Sequence, residues 1–158
     1  MVEYRSLRAE EWPRLKAGIL SFIRRHHDKH ITRATYSRVR KLPGSRLNRP
    51  GTVVYTAWDG RRLVGVIICE GYGNRTSMIV VHRDYRSHGI GRRLLQLAVQ
   101  QMGRFYAEVA ADNLPSMKIL FAMGMVAYDV FLRYGKITLR VRNGFPVERG
   151  AEEKQAAQ

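Results

Sequence analysis

The residues with the most chemical content lie together at Arg86-Ser87-His88-Gly89-Ile90-Gly91-Arg92-Arg93. They follow an apolar run, Met78 to Val81, and precede Leu94, Leu95, Leu97, Ala98 and Met102 at helical spacing. Glycines between a strand and a helix let the backbone approach a ligand, and the first N–H groups of a helix have no partner within it. With the positive end of the helix dipole behind them, such groups hold anions, phosphate above all. The loop is therefore expected to hold a phosphate or pyrophosphate. It is not a Walker loop, because no Gly-Lys-Ser/Thr follows, and it lacks the third glycine of a dinucleotide fingerprint. A second grouping, His26, His27 and His30 around Asp28, contains an i, i+4 histidine pair. No cysteine or further carboxylate completes a ligand set there, so no metal is expected.

The elements that must position the loop follow from periodicity. Val2 to Arg8 reads as a strand, and Glu10, Glu11 and Pro13 mark a helix start. Trp12, Leu15, Ile19, Phe22 and Ile23 fall on one face of that helix. A second, basic helix spans about Thr32 to Lys41 and closes in the turn residues Pro43-Gly44-Ser45 and Asn48-Arg49-Pro50-Gly51. Val53 to Trp58, a tight Asp59-Gly60 turn and Leu63 to Glu70 form a hairpin signal. After the glycine loop and its helix come a strand at Phe105 to Ala110, a short helix from Asp112-Asn113 to Gly124, and closing strands at Met125 to Leu132 and Lys136 to Val141. The expected class is α/β, or α+β by some schemes: a mixed, mostly antiparallel central sheet of about seven strands with about four helices on both faces. One domain is expected over residues 1–142, followed by a flexible tail over 143–158.

Composition limits the function classes. The 158 residues carry 28 Lys+Arg against 13 Asp+Glu, for a net charge of +15. Arginine far outnumbers lysine, and the densest basic block runs from Arg24 to Arg49. Such a field attracts polyanions: nucleic acid, acidic protein faces or phosphorylated ligands. No apolar run approaches the roughly 20 residues of a membrane span, and no leader pattern is evident. The single cysteine, Cys69, among Val66, Ile67 and Ile68, reads as a buried strand residue. One cysteine suits a reducing compartment, and a cytoplasmic protein with no membrane partner is expected.

The stretch from Ile79 to Leu95 resembles the acyl-CoA-binding motif of the GCN5-related N-acetyltransferase (GNAT) superfamily. Its signature, Arg or Gln, two residues, Gly, one residue, Gly or Ala, corresponds to Arg86, Gly89 and Gly91. The superfamily's second signature is similar to Asn113-Leu114-Pro115-Ser116-Met117-Lys118-Ile119-Leu120-Phe121-Ala122-Met123-Gly124. The resemblance covers Val2 to Val141 and implies an acetyl-CoA-dependent N-acetyltransferase acting on a primary amine of a protein, peptide or small molecule. Backbone groups of Val80, Val81 and Arg83 would then pair with the pantetheine arm as an added strand does. With Arg86 in the signature, the amides of His88, Gly89, Ile90, Gly91, Arg92 and Arg93 would hold the pyrophosphate of coenzyme A, and Asn113 and Ser116 would face the cofactor near its sulfur.

One departure bears on mechanism. Many members of the superfamily place a tyrosine, the acid that protonates the leaving thiolate, at the position assigned here to Phe121, which has no proton to give. Tyr128 and Tyr106 are replacement candidates, and Phe121 reads as packing. Direct attack of the amine on the thioester needs a route for one proton. Glu70, Glu108 and Asp112 are candidates to draw it, and His82 reads as loop packing. In the implied fold the first two helices flank the acceptor groove, so the Arg24 to Arg49 block would favour an acidic peptide or a nucleic acid. Three readings stay open: the acetyltransferase, a nucleic-acid-directed modifying or binding protein, and a CoA-binding protein with weak catalysis. The oligomeric expectation is monomer or homodimer.

Overall fold

The computed structural model describes residues 1–144. The chain forms β1 (Val2–Ser6), α1 (Trp12–His26), α2 (Arg33–Lys41), β2 (Val53–Asp59), β3 (Arg62–Glu70), β4 (Thr76–Val81), α3 (Ile90–Met102), β5 (Tyr106–Ala110), α4 (Leu114–Ala122), β6 (Val126–Arg133) and β7 (Lys136–Arg142). Short 3₁₀ turns at Gly44–Asn48, Gly71–Gly73 and Arg83–Tyr85 were not expected from periodicity. The order of helices and strands is the one the periodicity predicts, with ends shifted by a residue or two.

Local chemistry explains the boundaries. Thr32 caps α2 by accepting the N–H of Thr35, Asn113 caps α4 by accepting that of Ser116, and Pro13 and Pro115 stand in the first turns of α1 and α4. In each case a side chain or ring meets the lack of partners at a helix start. Gly60, at φ 58°, turns the hairpin between β2 and β3.

The seven strands among the described residues divide into two antiparallel sheets, β1-β2-β3-β4 and β5-β7-β6. The expected mixed sheet is thus split, and every ladder among the described residues is antiparallel. The place for a parallel pair is β4 beside β5, and there the strands diverge. They meet at one end only: a Cβ added to Gly73, just before β4, would fall 2.0 Å from the carbonyl oxygen of Tyr106 at the start of β5. From that junction both strands lead away with a cavity between them.

Alternation sorts the apolar residues into two cores. Val54, Val66, Ile68, Met78 and Val80 face α1 and α2, packing with Trp12, Ile19, Phe22, Ile23 and Val39. Ile67, Cys69, Val53 and Ala57 face the opposite way, against Ile90, Leu94, Leu95 and Ala98 of α3. That second core runs through Phe105, Ala107, Val109, Leu120 and Val141 into the three-stranded sheet. β3 is buried on both faces from Val64 to Glu70, as a central strand must be when helices cover each side. Trp12 fixes α1 to the end of α2 by donating from Nε1 to the Leu42 carbonyl at 2.7 Å.

The first residue of the expected tail, Asn143, belongs to the folded part. It is tied down, its Oδ1 accepting from Phe105 N at 2.9 Å and its Nδ2 donating to the Gly103 carbonyl at 2.9 Å. Residues 145–158 of the expected tail lie outside the described residues. No helix among those described is long and apolar enough to cross a membrane.

Candidate active site

The cavity between β4 and β5 has a volume of about 650 Å³. Its walls are β4 from Ser77 to Val81, β5 from Ala107 to Ala110, the loop from Tyr85 to Arg92, the start of α4, and the loop after α1. α3 packs on one face of β4 and α1 and α2 on the other, so the cavity opens between two different sides of the molecule.

The open edge of β4 is a chemical feature in its own right. Among the described residues β4 pairs with β3 alone, and His82 N–H donates to the Val64 carbonyl at 2.8 Å. In an antiparallel ladder the paired residues alternate with outward ones, so Ile79 and Val81 present their backbone groups to the cleft. The backbone of Val80 turns to β3 and its side chain packs under α1, which puts Ile79 where the sequence reading had placed Val80.

At the end of β4 the chain turns through Ser87, at φ 64°, and Gly89, at φ 78°, into α3. Only the first N–H groups of α3 lack an acceptor within it. Arg93 N–H donates to the Gly89 carbonyl at 3.0 Å, so the amides of Ile90, Gly91 and Arg92 remain, and that of Arg93 is spent. A Cβ on Gly91 would meet Ile119, Val81 and Ile79 at 3.6 to 3.7 Å, leaving a cradle that any longer side chain would fill. Arg83 and His88 do not line the cavity: Arg83 N–H points to His26 Nδ1 at 3.4 Å, and the His88 ring pairs with the Arg86 carbonyl at 2.7 Å. The Arg86 side chain folds back, donating to the His26 carbonyl at 2.6 Å, where a cation meets the negative end of α1. Asn113 and Ser116 line the cavity, with Asn113 Oδ1 3.4 Å from Ser116 N.

The carboxylates and tyrosines singled out in the sequence separate in space. Glu108 lines the cavity, but Arg133 stands 3.0 Å from Oε2 and Arg140 3.4 Å from Oε1. Glu70 is buried away from the cavity between Arg46, at 2.9 Å, and Arg75, at 3.4 Å. Asp112 binds Lys136 at 3.2 Å, and that bond holds its carboxyl below the ordinary range against the opposing effect of burial. Tyr128 is half exposed on β6 and lies outside the cavity wall, as does Tyr106. Tyr85, missed in the sequence, does line it and donates its hydroxyl to Asp59 at 2.5 Å.

α4 brings Ile119 and Leu120 to the cavity, whereas Phe121 is 40% exposed and points elsewhere. Phe121 is therefore not the packing residue it was read as, because the helix turns its neighbour Leu120 inward. Leu120 has no proton to give either.

Cys69 contributes no chemistry: burial pushes its thiol up to about 12 despite a hydrogen bond from Ser77. His82 packs as expected, its ring 4.1 Å from that of His26 and edge-on to Tyr85 at 5.4 Å. Among the described residues no group of three or more His, Cys, Asp or Glu is arranged to hold a metal.

An unpaired strand edge, a glycine cradle and free amides at a helix start fit an extended ligand with a pyrophosphate, as coenzyme A is. Comparisons with known proteins agree. No curated protein matches the sequence. Among solved structures, the ribosomal-protein-S18-alanine N-acetyltransferase from Escherichia coli superposes with TM-score 0.69 at 16% identity, covering 92% of this chain and 94% of that one. The NatC complex bound to Gag peptide and CoA gives 0.67 at 19%, covering 90% and 97%. YncA, described as a putative acetyltransferase, from Salmonella typhimurium with its cofactor acetyl-CoA gives 0.64 at 13%, covering 89% and 92%. The sequence profile of the Acetyltransferase (GNAT) family matches residues 5–125. The chain belongs to that family of acetyltransferases.

Proposed function

We propose that this protein transfers the acetyl group of acetyl-CoA to a primary amine of a protein or peptide. The observation that carries the reading is the cleft between β4 and β5, with an unpaired strand edge on one wall and the free amides of Ile90, Gly91 and Arg92 at its end. When bound, acetyl-CoA supplies a thioester, an electrophilic carbonyl on a thiol leaving group.

The chain's own residues supply the rest. Backbone groups of Ile79 and Val81 align the pantetheine arm, the α3 amides neutralise the pyrophosphate, and Asn113 and Ser116 stand on the far wall. The apolar side chains of Ile79, Val81, Ile119 and Leu120 keep bulk water from the arm. Across the cleft, Asp28 puts negative charge on the wall of a protein that is otherwise strongly basic, which suits an ammonium group. The basic stretch from Arg24 to Arg49 around it favours acidic side chains in the remainder of a peptide. A peptide acceptor also accords with the ribosomal-protein and Gag-peptide descriptions of the structures above.

The test is calorimetric titration of acetyl-CoA into the wild type and into Gly91→Leu, which fills the cradle. Micromolar binding to the wild type and at least a tenfold loss in the variant are expected. Equal affinities would move the cofactor elsewhere, and no binding to either would sink the reading. Thiol release with a peptide panel and with polyamines then separates peptide from small-molecule acceptors, turnover of polyamines alone deciding against the peptide.

A further inference from the structure

One polar side chain on the acceptor side of the cavity has no hydrogen bond. His30 lies in the loop between α1 and α2, and both of its ring nitrogens are buried without a partner in hydrogen-bonding geometry among the described residues. Each nonetheless faces a carboxylate: Nδ1 stands 3.4 Å from Asp28 Oδ1, and Nε2 3.4 Å from Asp112 Oδ1. The ring lines the cavity beside Asn113 and Ser116. A buried polar group without a partner is costly, so its retention in a ligand cavity calls for a reason.

The flanking groups already have other work. Asp28 Oδ1 accepts the backbone N–H of His30 at 2.8 Å, and Asp112 Oδ2 binds Lys136 at 3.2 Å. Lys29, next along the loop, adds its charge to the surroundings of Asp112. Two carboxylates and two lysines therefore surround a ring that stands in the wall of the cavity.

Other candidates are occupied. The oxygens of Glu108 meet two guanidinium groups. His26 Nδ1 and His82 Nδ1 accept the amides of Arg83 and Asp84, at 3.4 and 3.1 Å.

We propose that His30 takes the proton from the α-ammonium group of an incoming protein N terminus, with Asp112 as the residue that positions the ring. This rests on the acetyl-transfer reading and narrows its acceptor. An N–H bond of the ammonium breaks and a new one forms on the imidazole. The electron pair stays on the amine nitrogen, which becomes the nucleophile, and the imidazolium passes its proton to water at the cavity mouth. The chemistry selects the acceptor class: α-amino groups ordinarily lose a proton at about 7.7–8.0, near the range of an imidazole, whereas lysine side chains do so at about 10.4.

The test uses the full chain, an alanine-headed decapeptide and Nα-acetyl-lysine as probes, and His30→Gln. Acetyl-CoA should bind the variant and the wild type within about twofold by calorimetry. The wild type should acetylate the peptide and not Nα-acetyl-lysine. His30→Gln should lose about 100-fold in kcat at pH 7 with little change in KM, and recover toward pH 9, where the peptide amine arrives neutral. Asp112→Asn should show a smaller loss with the same shape. An unchanged pH profile in His30→Gln overturns the proposal, as does a wild type that binds acetyl-CoA but prefers the lysine probe or leaves the peptide untouched. Failure of the wild type to bind acetyl-CoA overturns the parent reading instead. If His30→Gln does not fold, histidine-selective NMR on the wild type decides: the His30 ring must change protonation over the pH range in which kcat/KM rises, and a ring that does not overturns the proposal.

Discussion

Glu70 shows how far a residue's type underdetermines its task. A carboxylate at a strand end next to the presumed cofactor strand reads as a candidate proton carrier, yet here Arg46, 24 residues upstream, and Arg75 take its two oxygens. With its side chain 7% exposed, the carboxylate holds the 3₁₀ turn after α2 against the end of β3. Glu70→Gln is accordingly expected to lower unfolding free energy by about 1–3 kcal/mol in urea titrations while leaving acetyl-CoA affinity unchanged. A large loss of affinity at unchanged stability would instead return Glu70 to the site. The partner's identity was illegible because nothing local links residues 46 and 70. The choice between Leu120 and Phe121 was illegible for another reason: adjacent residues on a helix point about 100° apart, and the facing one is fixed only once the helix docks.

At the scale of elements, the end of α1 is where titration and structure meet. The His26 ring packs on Phe22 at 4.9 Å and on His82 at 4.1 Å, and its Nδ1 accepts from Arg83. Burial first, then the neighbouring His82, Arg25, Arg83 and Arg86, hold its pKa below the ordinary 6.5. The unfolded chain therefore takes up a proton on this histidine at a higher pH than the folded chain does. Its contribution to stability is complete above about 6.5 and is lost as pH falls from there through the folded value. Urea midpoints should drop between pH 7 and pH 5, and His26→Gln should flatten part of that slope; an unaltered slope would assign the effect to other groups. Because Arg86 grips the carbonyl of the same residue, this end of α1 also braces the loop that leads into α3.

The whole molecule is governed by the way its two sheets part. Gly73, at φ 94°, lets the backbone touch Tyr106, and Phe105, only 1% exposed, fills the junction beneath. Gly73→Ala would put a methyl group into that carbonyl at a backbone angle that L-residues avoid. A destabilisation on the order of 3 kcal/mol is expected by chemical denaturation, with acetyl-CoA affinity falling as the cleft widens. Near-wild-type stability would mean that the junction does not set the splay. The net charge also looks different at this scale. Arg24 bonds Tyr36, Arg38 the carbonyl of Arg75, and Arg46 the Glu70 carboxylate, so part of the basic block is structural.

The sequence by itself determined the order of strands and helices, the β2–β3 hairpin and the glycine turn with unpartnered amides at the start of α3. Each of these rests on forces that act within a few residues: apolar periodicity, turn glycines and unpartnered amides at a helix start. Tertiary structure alone decided the rest: the division into two sheets, the outward edge of Ile79 and Val81, the pairing of Glu70 and Glu108 with arginines, and the meeting of His30 with Asp112. These depend on which distant segments pack together, and a carboxylate or imidazole acquires its role from the groups that such packing brings within a few ångströms.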